Sequence, residues 1–215
     1  MACNLLEKIK SDGRVMAYLG ILNQSDEEAY YHVLAVTDIV NEYLMIASEN
    51  NELGWSEKEC ESILIGTLLH DIGKGFLPFG LQHSTKELSN IEYEIIKTHP
   101  LLGVTCIQNC KFDEIVTNII LLHHANADGS GYPSINNQIF NEKNVPEYVW
   151  LVAYADRFEA MTNTRAFKQA KSYPEAWKEI LNMSRAGKLP YKFTRLFGEL
   201  IRQKSIIPIY IEEGR

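Results

Sequence analysis

The sequence has no long apolar run and no excess of positive charge, and each absence excludes a class of function. No run approaches the roughly 20 apolar residues that cross a bilayer, so we expect no membrane partner. The formal net charge of −7 leaves no broad basic surface. Duplex nucleic acid is therefore not an expected partner, because its binding depends on phosphate neutralisation by Lys and Arg. A local basic pocket for a small phosphorylated ligand is compatible with this charge.

Paired cysteine motifs and targeting signals are also missing. The four cysteines are Cys3, Cys60, Cys106 and Cys110, and none of them forms a CxxC motif. Reduced, buried thiols are usual in a reducing compartment. The first residues lack the charged segment and apolar run of a signal peptide. The sequence therefore predicts a cytoplasmic protein.

Strand-like alternation, internal repeats and low-complexity tracts are absent, and helical periodicity takes their place. Apolar residues spaced three and four apart predict one long amphipathic helix at about 26–50, with His32 on its core face. The boxes Ser56–Glu59 and Ser89–Glu92 predict the starts of two more helices. We predict an all-α fold, a single helical bundle with its site in the core. A helical N-terminal extension at 1–25 precedes the domain at 26–215.

The remaining segments alternate between helix and loop. Further helices are predicted at 101–108, 112–124, 146–162, 174–186 and 194–204. The segment 76–87 has glycines beside aromatic residues and no clear period, so we predict a loop there. Residues 128–137 are rich in turn-forming residues. The apolar tail at 206–211 is predicted to be extended and to pack on the body.

The stretch 69–75, Leu-His-Asp-Ile-Gly-Lys-Gly, is a candidate for metal and phosphate chemistry. It places the imidazole of His70 beside the carboxylate of Asp71 at the end of an apolar run, with Lys74 just beyond. Imidazole and carboxylate suit divalent ions, and a lysine there could neutralise an oxyanion held on the ion. Taken alone the signal is weak, since a His-Asp pair before a glycine turn is commonly a hydrogen-bonded helix end.

Five of the six histidines and two aspartates lie at the ends or on the apolar faces of predicted helices. They are His32, His70, Asp71, His99, His123, His124 and Asp156. Any one of them alone is more often a hydrogen-bonded core residue than a ligand. Burying so many such groups costs several kcal/mol each unless they are paired or bound to metal. The set therefore predicts one or two divalent ions, whereas His83, in the predicted loop, is interpreted as solvated.

The motifs follow one another in a specific order along residues 31–170. They are His32, HDIGK at 70–74, THP at 98–100, HH at 123–124, DGSGYP at 128–133, and AD at 155–156 followed by Arg165. This order resembles the HD-GYP branch of the HD-domain phosphohydrolases. The histidine pair followed by DGSGYP is the most specific part of the match.

The resemblance implies an HD-domain phosphodiesterase that hydrolyses cyclic dinucleotides, above all cyclic di-GMP. It implies two divalent transition-metal ions, iron or manganese, with zinc, nickel, cobalt and magnesium as alternatives. The positions that match the family's metal ligands are His32, His70, Asp71, His99, His123, His124 and Asp156. Asp71, as the bridge between the ions, and Lys74 are the implied catalytic residues. The implied substrate-binding residues are Lys74, Tyr132, Arg165 and Lys168.

Two departures from the family pattern keep alternatives open. Ala125 stands where a glutamate usually follows the paired histidines, and Trp150 replaces an arginine. The first alternative is a general HD phosphohydrolase that acts on nucleotides or other phosphoesters through one metal at His32, His70, Asp71 and Asp156. The second is a sensor of cyclic dinucleotides with weak or no turnover. A homodimer is compatible with either reading of the sequence.

Overall fold

The computed structural model describes residues 2–82, 88–163 and 169–204, with side chains described from Leu5 onward except at Gln82. Within these ranges the chain forms eleven α-helices and no strand. The helices are α1 (Ala2–Lys10), α2 (Gly13–Ser25), α3 (Glu27–Glu49), α4 (Glu57–Leu69), α5 (Phe79–Gln82), α6 (Asn90–Ile96), α7 (His99–Ile107), α8 (Glu114–Leu122), α9 (Glu147–Thr162), α10 (Tyr173–Arg185) and α11 (Thr194–Lys204). The predicted all-α fold is confirmed.

Local sequence signals explain where the main helices begin. Asp26 caps α3 by accepting a hydrogen bond from the backbone N–H of Ala29. Ser56 and Ser89 form the two predicted capping boxes, which open α4 and α6. Pro146 lies at the N-cap of α9, a position that needs no intrahelical N–H bond. These helix starts agree with the predictions from the sequence.

The core lies where α3, α4, α8 and α9 meet. Helix α3 contacts both α4 and α9, and α8 contacts the same two helices. Fully buried side chains such as Val40, Ile63, Ile119 and Tyr154 fill the space between them. Each buried aliphatic side chain contributes about 1.5–3 kcal/mol. This packing fixes the relative positions of the helix ends that carry the candidate site.

The first two helices pack on the same core. Leu5 and Ile9 of α1 and Val15, Leu19 and Leu22 of α2 are buried in it. The described part of residues 1–25 is therefore helical. Its separation from a domain at 26–215 stays a prediction.

The segment 76–87 was only partly predicted. A 3₁₀ helix spans Ile72–Phe76, and the single-turn helix α5 follows Pro78, whose carbonyl accepts the N–H of Leu81 at 2.9 Å. Proline suits the start of a helical turn, so a loop throughout this segment was wrong. His83 and the tail at 206–211 lie outside the described residues. No helix in the described ranges has both the length and the hydrophobicity needed to span a membrane.

Candidate metal centre

The site lies where the ends of α4, α8 and α9 meet the start of α7 and one face of α3. Helix α4 ends at Leu69, so His70 and Asp71 follow directly at its C-terminus. The 3₁₀ helix comes next and packs against α7. Gly73 makes this close approach, since a Cβ atom there would lie 1.9 Å from the carbonyl oxygen of His99. The backbone contact at Gly73 brings His99 next to Asp71.

Three of the histidines are each oriented by a backbone carbonyl three residues earlier in the chain. The Nδ1–H of His70 donates to the carbonyl of Thr67 at 2.7 Å, that of His99 to Ile96 at 2.8 Å, and that of His123 to Ile120 at 3.0 Å. A carbonyl can only accept, so each ring carries its proton on Nδ1. The lone pair of each Nε2 is therefore available to a metal ion, the arrangement typical of histidine ligands.

Asp71 lies between two groups of histidines. Its Oδ1 atom is 3.2 Å from Nε2 of His99 and 3.7 Å from Nε2 of His123. Its Oδ2 atom is 3.5 Å from Nε2 of His70 and 3.7 Å from Nε2 of His32. Each carboxylate oxygen thus faces a different pair of rings, which is the geometry expected of a carboxylate shared by two ions.

His32 is held by carboxylates on both sides. Its Nε2 is 3.0 Å from Oδ1 of Asp156, and its Nδ1 donates to the buried carboxylate of Glu159. Burial alone would lower the pKa of His32, but Asp156 and Glu159 raise the pKa to about 9. Asp156 also faces His124, whose Nδ1 lies 3.8 Å from its Oδ2 atom. This corner of the site therefore favours positive charge.

Two buried polar atoms test whether the residues fit a metal. Nε2 of His70 and Oδ1 of Asp71 have no hydrogen-bond partner among the described residues. His99 approaches that Oδ1 atom without forming a hydrogen bond. Unpaired buried polar groups are costly, and a divalent ion would satisfy both atoms. Two overlapping groups, each with ligand atoms within 4.8 Å of one another, could hold such ions: Asp71, His99, His123 and His124, and His32, His70 and Asp71.

The protonation states suit this chemistry. Burial lowers the pKa of His70, and burial together with neighbouring histidines holds the pKa of His123 and His124 well below the ordinary value. These rings are neutral, as metal ligands must be. Burial would raise the pKa of Asp71, but Lys74 and His70 outweigh it and place the pKa well below its usual range. Asp71 is therefore ionised.

An open cleft of about 230 Å³ leads to the centre between His32 and Lys74, with Glu28 and Ile96 also in its lining. The ammonium of Lys74 lies 2.5 Å from Oδ2 of Asp71 and its side chain is 21% exposed, so it faces the cleft as well as the carboxylate. A phosphate that enters the cleft would meet Lys74 beside the candidate ions.

The DGSGYP segment lies against the histidine pair. The ring of Tyr132 packs on His124, with centroids 4.6 Å apart, and on the edge of His99 at 6.3 Å. The ammonium of Lys97 lies over the rings of Tyr93 and Tyr132, at 4.7 Å and 5.9 Å. Tyr132 thus joins this aromatic and cationic edge to the rings of His99 and His124.

The structure brings together all the predicted metal ligands: His32, His70, Asp71, His99, His123, His124 and Asp156. It also places Lys74 and Tyr132 beside them. Their individual roles stay predictions, and Arg165 and Lys168 lie outside the described residues. Sequence reasoning missed Glu159 and Lys97. Glu159 had a signal, because it follows Asp156 by three residues and so shares its helix face.

Comparison with known proteins identifies the family. The family model described as HD domain matches residues 29–189, most of the chain. This chain belongs to the HD-domain family. The same helices and histidines that build the candidate centre lie inside the matched region of this HD domain.

Two curated relatives of this HD domain are cyclic di-GMP phosphodiesterases. The protein from Thermotoga maritima is 30% identical over 202 residues, which are 87% of this chain and 53% of the relative. The response regulator RpfG from Xanthomonas campestris pv. campestris is 33% identical over 121 residues, 55% of this chain and 31% of the relative. The chain thus spans about half or less of the length of these proteins. Such relatives confirm the resemblance to the HD-GYP branch.

A solved structure shows the same fold. The HD domain of the phosphodiesterase PgpH from L. monocytogenes, in complex with cyclic-di-AMP, matches with a TM-score of 0.63 at 13% identity. The match covers 90% of this chain and 99% of the other. At this identity the likeness supports the helical HD fold and carries no information about ligand choice.

Proposed function

We propose that this protein is a metal-dependent phosphodiesterase that hydrolyses a cyclic dinucleotide, cyclic di-GMP or a relative, at a centre of two divalent ions. The observation that carries the proposal is the position of Asp71, whose two buried oxygens face two different sets of histidines. The names of the two curated relatives add support, since both are cyclic di-GMP phosphodiesterases. We propose iron or manganese as the metal, and the sequence prediction of a cytoplasmic location stays part of the proposal.

When bound, divalent ions polarise the phosphodiester and activate water for in-line attack at neutral pH. The side chains of the protein position the charges that bind the ions and the phosphate. Asp71 is ionised because Lys74 and His70 lower its pKa. It can therefore offer one carboxylate oxygen to each of the two groups of candidate ligands. Lys74 would stabilise negative charge on the phosphoryl oxygens, a role in which preorganised donors contribute most. Arg165 and Lys168 are proposed to add to this charge on the basis of the resemblance.

The shape of the cleft supports an extended substrate. Its volume of about 230 Å³ is below the roughly 300–1,000 Å³ that encloses most of a drug-sized ligand. One phosphodiester would enter between His32 and Lys74 while its nucleosides remain outside. Lys97, Tyr93 and Tyr132 present a cation and aromatic faces at the rim, where a nucleobase could stack. A cyclic dinucleotide has a second nucleoside that can make further contacts around the rim, and a mononucleotide lacks these contacts, which favours a dinucleotide.

The decisive experiment is a hydrolysis series on the protein loaded anaerobically with iron(II) or manganese(II). Cyclic di-GMP, cyclic di-AMP, a mixed cyclic GMP-AMP and GMP would be incubated in parallel and separated by chromatography. We expect at least one cyclic dinucleotide to be converted to its linear dinucleotide faster than GMP loses phosphate. The Asp71→Asn variant serves as the matched control for contaminating activity.

The same series distinguishes the two alternatives. Faster release of phosphate from GMP would favour a general phosphohydrolase. Tight binding of a cyclic dinucleotide without any product, with both ions bound, would indicate a sensor. In that case Ala125 and Trp150 are the first positions to exchange for the family's usual residues.

A further inference from the structure

Arg157 makes an unusual set of contacts directly after a candidate ligand. It follows Asp156 on α9 and is partly buried. Its Nη2 atom donates to the carbonyl of Ala125 at 3.0 Å and to Oδ1 of Asn126 at 2.9 Å, and its Nη1 atom donates to the carbonyl of Ala153 at 3.1 Å. Among the described residues no carboxylate forms an ion pair with it. Each of these three hydrogen bonds from the guanidinium is donated to a neutral oxygen.

These contacts tie α9 to the turn that follows the paired histidines. Consecutive residues of a helix point in directions about 100° apart, so Asp156 faces His32 and His124 while Arg157 reaches the neighbouring turn. Ala125 and Asn126 come directly after His124. Asn126 also donates to Ser130, and its carbonyl accepts the N–H of Gly129. Arg157 thus forms hydrogen bonds with the start of the segment that leads from the histidine pair to Tyr132.

The turn is packed so closely that a shift in it would move the ligand. A Cβ atom on Gly131 would lie 2.4 Å from the carbonyl of His124 and 2.5 Å from the backbone N of Asn126. That His124 carbonyl also accepts the N–H of Tyr132 at 3.3 Å. Displacing Asn126 would therefore displace His124 and Tyr132 together.

We propose that Arg157 is a positioning residue for one half of the centre, setting the place of His124 and Tyr132 relative to Asp156 through Ala125 and Asn126. The inference rests on the proposed metal centre. The inference also explains how the site can function with Ala125 in place of the family's usual glutamate. The glutamate carboxylate is absent, but Arg157 on α9 donates a hydrogen bond to the backbone carbonyl at this position instead. The planar fork of arginine is required, because a lysine ammonium cannot reach separated acceptors with the same rigid geometry.

The test measures metal affinity and does not depend on catalytic activity. Purified wild type, Arg157→Met and Arg157→Lys would be titrated with manganese(II) against a competing chelator, and bound ions counted. We expect wild type to bind two ions. Arg157→Met should keep one and bind the second about 10–100-fold more weakly, the scale typical for loss of a partner that orients metal ligands. Arg157→Lys should resemble Arg157→Met, because charge alone does not replace the fork.

Asn126→Ala provides a second, milder variant. It removes one acceptor of Arg157, so we expect a smaller loss of affinity for the same ion. Combining it with Arg157→Met should add little, since residues that act through one contact are not additive. This variant also keeps the proposal testable if Arg157→Met does not fold.

Arg14→Met is the matched control. Its guanidinium also donates to a backbone carbonyl, that of Cys110 at 2.9 Å, and lies over the ring of Phe112. We expect this variant to bind two ions with wild-type affinity. Unchanged affinities in Arg157→Met, or an equal loss at both sites in Arg157→Met and Arg14→Met, would overturn the inference. A wild type that binds no ions would instead overturn the proposed function.

Discussion

At the scale of single residues, the centre depends on Asp71 more than on any one histidine. We expect Asp71→Asn to bind fewer ions and to melt at a lower temperature than wild type. The amide loses the negative charge, and leaving buried cationic and imidazole groups without it costs about 3–5 kcal/mol. Elemental analysis and calorimetry would measure both effects.

The control for this variant is the pair Cys106→Ser and Cys110→Ser. Neither thiol contacts the centre, and the hydroxyl of Tyr18 lies against both residues instead. Metal content should not change in the double variant. A full metal complement and an unchanged melting temperature in Asp71→Asn would show that Asp71 is not a ligand.

Lys74 separates metal binding from catalysis. We expect Lys74→Ala to keep its ions and to lose roughly a hundredfold or more in kcat, the scale for one lost transition-state charge partner. Steady-state hydrolysis of the preferred cyclic dinucleotide and a metal count on the same sample would test this. Lys8→Ala is the matched control, because Lys8 also lies 2.5 Å from a carboxylate, Glu61, but on the surface. Wild-type turnover in Lys74→Ala would show that the substrate phosphate does not bind beside Lys74.

Sequence reasoning found the candidate ligands but missed part of their support. His32 and Asp156 could be foreseen because the apolar pattern places them on core-facing positions of helices, and His70 because it ends an apolar run. Whether Glu159 turns toward His32 depends on how α9 crosses α3, and no pattern within either helix encodes that crossing. Lys97 was missed for a similar reason, since its neighbours Tyr93 and Tyr132 are distant from each other along the chain.

At the scale of secondary-structure elements, the contact between the 3₁₀ helix and α7 sets the distance between Asp71 and His99. We expect Gly73→Ala to destabilise the protein and to lower its metal content. The new Cβ atom would meet the backbone of His99 at 1.9 Å and of Gly103 at 2.7 Å. Backbone atoms cannot rotate away as a side chain can, so overpacking here should cost at least about 1–3 kcal/mol.

Denaturant unfolding and a metal count would measure the effect of Gly73→Ala. Gly20→Ala is its control, because Gly20 lies within α2 and nothing lies within 4 Å of the position of its Cβ atom. Alanine in an open helical position should be neutral or stabilise by about 0.4–1 kcal/mol. Equal stability and equal metal content in Gly73→Ala and wild type would contradict the assigned role of this contact.

Element boundaries were predictable where the sequence has a capping box or a proline at the helix start. Ser56, Ser89 and Pro146 each mark a helix start within one residue of the observed one. The helix α5 was missed, because a single turn is too short to show a period. Its formation depends on Pro78 and on packing that places Leu81 in the interior.

At the scale of the whole molecule, bound metal should contribute to folding stability. We expect removal of metal by a chelator to lower the melting temperature, because the clustered imidazoles and carboxylates then lose their shared cation. An ion present at a hundred times its Kd stabilises the native state by about 2.7 kcal/mol. Calorimetry of the loaded and stripped protein would measure the difference. Asp71→Asn should respond far less, and an equal response would assign the effect to another site.

The hydrogen bonds from His70, His99 and His123 to nearby backbone carbonyls affect how far the sequence can diverge while the site is kept. Each ring takes its proton position from a backbone oxygen in the preceding turn, and every amino acid supplies such an oxygen. Mutations can therefore replace the side chains of Thr67, Ile96 or Ile120 without disturbing the tautomer of the histidine. The histidine tautomers therefore place no constraint on the side chains at these three positions. A fold shared at 13% identity is the kind of evolutionary record that such tolerance would leave.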